Sequence, residues 1–136
     1  MRSMSLLFLA AALAGCTTAP APEMRSAKAE AHLQKLLAGK TAGPARSCLP
    51  DHRSDNMVVV DDNTVVFRDG RTVYRNDFQG GGCSQLGSGF YALLTRRTGG
   101  GGLCRGDIAE VKDLSNGITV GSCVLGDFVP YSAPRS

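Results

Sequence analysis

The chain has 136 residues, with 15 lysines and arginines against 12 aspartates and glutamates (net charge +3), and no tryptophan. So small an excess carries no electrostatic footprint for nucleic acid, and the missing tryptophan removes a side chain much used as a binding anchor. Five cysteines in so short a chain point instead to an oxidising compartment.

Residues 1–15 read as a targeting signal. Arg2 gives a positive start, and 6–13 is an apolar run too short to span a bilayer. The run ends in Leu13-Ala14-Gly15-Cys16, which resembles the bacterial lipobox, where a small residue precedes a cysteine that is acylated and becomes the mature N-terminus. The resemblance implies Cys16 as the lipidation site and the membrane as a partner through the N-terminal lipid. It also implies a cell-envelope location, and Thr17 in place of aspartate implies the outer membrane, facing the periplasm. Processing removes only Arg2 among charged residues, leaving 14 basic against 12 acidic.

Residues 16–26 form a lipidated linker with Pro20 and Pro22, expected to be extended. A helix is expected over 27–39. Ala29, Leu33, Leu36 and Leu37 make one stripe, Ser26 can cap the start, and Gly39 can end it in the left-handed conformation. A helix this short persists only if it packs on something, and a sheet face is the expected partner. Residues 40–56 read as a connector.

Three β-branched runs follow, cut by Asp62-Asn63 and Asp69-Gly70, and predict an antiparallel meander of 57–61, 64–68 and 71–75. With two-residue loops, Val60 faces Val65 and Val58 faces Phe67; Phe67 faces Thr72 and Val65 faces Tyr74. One face then carries Val58, Val60, Val65, Phe67, Thr72 and Tyr74, the expected core face. The other carries Met57, Val59, Val66 and Val73, with Asp61, Arg68, Arg71 and Arg75. Its apolar middle needs cover from the helix or a later strand. Further strands are expected over 90–97, over 103–111 with a break near Gly106, and over 118–125. The fold class is therefore mainly β: a small antiparallel sheet or barrel of about six short strands, one N-terminal helix and two disulfides. The β domain spans 46–131, and 132–136 is a tail.

Cys48, Cys83, Cys104 and Cys123 are even in number and contain no C-x-x-C, so two disulfides are expected and no zinc site. Three pairings exist, and Cys83–Cys104 with Cys48–Cys123 would staple the two glycine-rich segments and join the domain's beginning to its end. Loops of 21 and 75 residues correspond to about 3 and about 4.5 kcal/mol in the loop-entropy picture.

No catalytic constellation is visible. His32 lies on the helix, His52 in the connector, and the four thiols are expected to be oxidised. No metal or cofactor is expected. Gly99 to Gly102 lacks the Lys-Ser/Thr of a phosphate loop, and Arg105-Gly106-Asp107 is a chance tripeptide beside a disulfide. Arg68, Arg71 and Arg75 are a candidate anion-binding patch for an anionic lipid or an envelope protein.

Leu36-Leu-Ala-Gly-Lys40, Thr72-Val-Tyr-Arg-Asn76, Leu103-Cys-Arg-Gly-Asp-Ile108 and Gly121-Ser-Cys-Val-Leu-Gly-Asp-Phe-Val-Pro-Tyr131 together resemble a family of small bacterial lipoproteins and secreted proteins of unknown function. That resemblance implies no catalytic residue. Separately, Ser88-Gly89-Phe90-Tyr91 resembles the inhibitory loop of membrane-bound lysozyme inhibitors, which implies Ser88, Gly89 and Tyr91 as candidate contact residues. The expectation is a non-enzymatic envelope lipoprotein with a structural or binding role. The alternatives are a lysozyme-inhibitor-like protein and an enzyme whose site the sequence does not reveal.

Overall fold

A computed structural model describes residues 24–49, 56–96 and 101–134. Cys16, the 1–15 signal, linker residues 16–23, His52, Arg97, Gly99, Gly100 and residues 135–136 lie outside the described residues. Among those described, one helix and ten short strands form a mainly β fold.

Helix α1 is Ala27–Leu37. The Ser26 hydroxyl accepts from the Ala29 amide at 3.2 Å, satisfying a donor that the first turn leaves unpaired. Gly39 takes φ +69° and ends it, as its lack of a β-carbon allows. Ala29, Leu33 and Leu36 are buried against Val60, Val66 and Val73, with Val58 and Leu37 at the margin. The helix thus covers the second face of the meander, as the apolar centre of that face required.

The strands are β1 (Thr41–Ala42), β2 (Cys48–Leu49), β3 (Met57–Val59), β4 (Thr64–Asp69), β5 (Thr72–Asp77), β6 (Tyr91–Thr95), β7 (Leu103–Cys104), β8 (Ile108–Asp113), β9 (Thr119–Val124) and β10 (Phe128–Ser132). They make a five-stranded sheet ordered β1-β10-β5-β4-β3, a two-stranded sheet β2-β7 and a three-stranded sheet β6-β8-β9. The strand pairings among the described residues are all antiparallel. The main core lies between the five-stranded sheet and the two smaller ones. It joins Val65, Phe67, Tyr74 and Phe128 to Leu49, Leu103, Val111 and Leu125. The rings of Phe67 and Phe128 meet at 5.8 Å, tilted by 55°. Each large apolar side chain fully buried here stabilises the fold by about 1.5–3 kcal/mol.

The meander forms, but both of its registers differ from expectation. Between β4 and β5, Phe67 pairs with Tyr74 and Asp69 with Thr72. The loop is therefore Gly70-Arg71, with Gly70 at φ +54° in the first loop position, the arrangement of a type II′ turn. This offset is even, so the faces are unchanged. Between β3 and β4 the pairs are Met57–Phe67 and Val59–Val65. The loop holds three residues, Asp61 to Asn63, closed by the Val60 amide donating to Thr64 O at 3.0 Å. One added residue turns β3 over. Met57 and Val59 join the main core, and Val58 and Val60 meet the helix, the reverse of the expected assignment.

The cause lies in contacts distant in sequence. Within the turn itself, the Asp61 carboxylate accepts from the Asn63 amide at 2.8 Å; the distant contacts are those of Asp62. Asp62 turns its carboxylate to the amides of Gln85 (3.1 Å) and Gly87 (2.6 Å), and its carbonyl to the Cys83 amide. The turn is thus built around the 83–87 segment rather than as an isolated hairpin.

Two disulfides form with pairings other than the favoured ones: Cys48–Cys104 and Cys83–Cys123. The connector 40–56 explains this. It contributes β1 and β2, and β2 sets Cys48 directly opposite Cys104 on β7. Cys83 lies in the core beside Cys123 of β9, both buried. Residues 128–132, for which the sequence predicts no strand, form strand β10, which reaches one residue into the expected 132–136 tail. Pro130 fits there because its carbonyl accepts from Gly43 on the β1 side. Its missing N–H would point the same way, so the ladder to β5 loses nothing.

Candidate binding surfaces

The sequence-predicted arginines do not gather into one site. Arg75 is occupied by Asp77, at 2.9 Å from one carboxylate oxygen. Arg71 donates to the Pro134 carbonyl at 3.3 Å. Arg68 instead joins residues from the helix. His32 and Lys35, three apart and so on one side of α1, line a groove with Lys40 just past the helix end and with Arg68 of β4. Leu36, Val73 and Gly70 complete it, and its volume is about 370 Å³. Among the described residues, no carboxylate lines it. Alternation along β4 sends Asp69 to the other face of the sheet. Among the described residues, Lys35, Lys40 and Arg68 make no ion pair with a carboxylate. Lys35 and Lys40 also sit where the helix's C-terminal carbonyls carry partial negative charge. Lys35, Lys40 and His32 were missed as site residues because only the packing of α1 on this face brings them to Arg68. The helical spacing of His32 and Lys35 was the available signal.

At the opposite end of α1, Arg25 ties the helix to the sheet. Its Nε donates to Asp61 at 2.5 Å, its guanidinium also bonds Thr64, and Glu30 lies at 3.3 Å and Asp77 at 3.8 Å. Burial alone would lower the Arg25 pKa, but the hydrogen bonds and charges of Asp61, Glu30 and Asp77 outweigh it and raise it. A second groove, of about 500 Å³, runs beside this cluster between Met24, Lys28, Asp62 and Gly87. Every charge in the cluster is partnered, so it reads as a structural tie.

The Ser88–Tyr91 stretch separates into unlike parts. Ser88 ends a 3₁₀ turn, Leu86–Ser88, and its hydroxyl donates to Gln85 O at 2.8 Å. Gly89 takes φ +83°. Tyr91 packs on the main core, while Phe90 is 75% exposed. The aromatic available to a partner is therefore Phe90, which the resemblance did not single out. Of the Arg105-Gly106-Asp107 tripeptide, Arg105 faces Asp127 at 3.5 Å and Asp107 is buried, accepting from the Cys104 amide.

Among the described residues, no group of three or more histidines, cysteines, aspartates or glutamates is placed to hold a metal. No described helix is long and apolar enough to cross a membrane. The chain matches no family model, no curated protein and no solved structure.

Proposed function

We propose that this chain is a lipid-anchored protein of the bacterial cell envelope, acylated at Cys16, whose folded domain is a non-enzymatic binding module for phosphate-bearing anions. The observation that carries the binding role is the groove of His32, Lys35, Lys40 and Arg68, cationic and without a lining acid among the described residues. Ammonium groups attract phosphate as point charges, and a guanidinium adds a planar fork of donors. Placing them on α1, the segment after it and β4 holds them together before a ligand arrives. The anchor rests on the lipobox-like Leu13-Ala14-Gly15-Cys16, and the outer-membrane assignment on Thr17. The family of small bacterial lipoproteins that the chain resembles fits the same reading.

The lysozyme-inhibitor alternative has less support, because Tyr91 packs inward and leaves Ser88 and Gly89 as the exposed members of its contact set. An enzymatic reading lacks a carboxylate in the cationic groove to work with His32 as an acid–base pair.

The test uses the Cys16→Ser full chain, so that acyl chains contribute nothing. Binding to vesicles with phosphate-rich anionic headgroups is compared with binding to zwitterionic vesicles and to soluble polyphosphate, which separates a lipid source of phosphate from a free one. Lys35→Glu with Arg68→Glu should weaken the anionic interaction by about 30-fold or more, taking about 1 kcal/mol per cation. Rising salt should weaken it further. Binding unchanged by the charge reversal would remove the groove from the account.

A further inference from the structure

We infer that the tip formed by Phe90, Leu114 and Ile118 is a membrane-contact surface that seats the domain on the lipid interface beside its anchor. This rests on the lipid-anchored reading above.

The three side chains are 75%, 65% and 60% exposed, which is unusual company for large apolar groups on two adjoining loops. The loops are tied to each other. The Leu114 amide donates to Phe90 O at 3.2 Å, and the Asp113 amide to Ile118 O at 2.9 Å. Phe90 and Leu114 flank a hollow of about 480 Å³ whose only charged lining residue among those described is Asp113. The Asp113 carboxylate is turned back into its own turn, accepting from the amide and hydroxyl of Ser115.

What identifies the occupant is where the chain enters the fold. Met24 and Gly87 line the same groove, and Gly87 is held there by its bond to Asp62. Phe90 is three residues beyond Gly87, at most about 11 Å along the chain. Eight steps separate Cys16 from Met24, so an acylated Cys16 lies within about 28 Å of Met24 at full extension. The apolar tip is therefore within reach of the tether. The cationic groove starts at His32, which also borders the Met24 groove, and runs from there past the end of α1 to Lys40. An anchored domain with exposed aromatic and aliphatic side chains within reach of its tether meets the headgroup–acyl boundary through them, where such groups leave water.

The chain has no tryptophan, so Phe90→Trp and, separately, Leu114→Trp each give a single fluorescent reporter in the full-length acylated protein. The probe is a phosphatidylcholine vesicle with brominated acyl chains. The expected result is a blue shift and about two-fold or greater quenching from both positions, with none from Ala38→Trp, exposed just past the end of α1 and outside the cationic groove. Co-sedimentation with vesicles but no quenching at either tip position overturns the contact surface and leaves the anchor standing. Absence of co-sedimentation overturns the anchor and this inference together. A blue shift that grows with protein concentration in the absence of lipid assigns the tip to a second copy of the chain and also overturns it.

Discussion

Replacing Asn76 by alanine should destabilise the fold far more than its polar character suggests. Asn76 is fully buried. Its amide nitrogen donates to Gly126 O at 2.8 Å and Asp127 O at 3.3 Å, while its oxygen accepts from the Gly126 amide at 3.1 Å. One side chain thus stitches β5 to the connector between β9 and β10. Alanine leaves the buried Gly126 donor and acceptor without this partner, at about 1–3 kcal/mol each, and the vacated volume adds about 1 kcal/mol. The expected loss is about 3–7 kcal/mol, or a melting midpoint lower by at least about 12 °C for a domain of this size. Urea and thermal denaturation of the oxidised protein measure it, and amide exchange at Gly126 localises it. Asn76→Asp sharpens the test. A carboxylate there can accept from the Gly126 amide but has no proton for the two carbonyls, so the folded state favours the protonated form. Its folded pKa then lies above the unfolded value of about 4. Stability should therefore fall as pH rises from that value through the raised one, relative to the parent. An Asn76→Ala protein within about 1 kcal/mol of the parent, or an Asn76→Asp protein with the parent's pH profile, would refute the reasoning.

Three further outcomes are expected. Cys48 is exposed and Cys104 half-buried, while Cys83 and Cys123 are buried. Graded reductant with alkylation should therefore open Cys48–Cys104 first, and loops of 56 and 40 residues make each bridge worth about 4 kcal/mol at the upper end. Arg25→Met should loosen α1 and cost about 1–2 kcal/mol, discounted for partial exposure, read as early loss of amide protection over residues 27–37. The hydrogen bond from Lys112, and then that from Arg96, hold the Glu110 pKa below the usual carboxylate value. A depressed carboxylate contributes stability above its unfolded pKa and loses it as pH falls through the folded one. The melting difference between the parent and Glu110→Gln should accordingly be present at neutral pH and vanish in acid.

Local chemistry was legible where local chemistry decides. The stripe of α1, its Ser26 cap and Gly39 stop, the meander and the break at Gly106 all follow from residues within a few positions of one another. The β3 register was not legible, because Asp62 spends its hydrogen-bonding groups on Cys83, Gln85 and Gly87, more than twenty residues away. Cysteine pairing failed for a related reason: β2 is two residues long and exists only opposite β7. Asn76 gave no sign of its role, since its partners are backbone atoms fifty residues on. At the surface, Arg68 was visible as a candidate, but its companions Lys35 and Lys40 were not, because charge alone does not report which strand a helix will lie across.

The position of β10 bears on when this chain can fold. It follows every other strand in sequence yet lies between β1 and β5, with Phe128 fully buried against Phe67. As the chain is synthesised from its N-terminus, β1 has no neighbour and β5 keeps an open edge until residues 128–132 are available. The nascent domain therefore lacks both a sheet position and a core side chain until nearly all of it has been made. Folding must wait for one of its longest-range pairings, as high contact order requires.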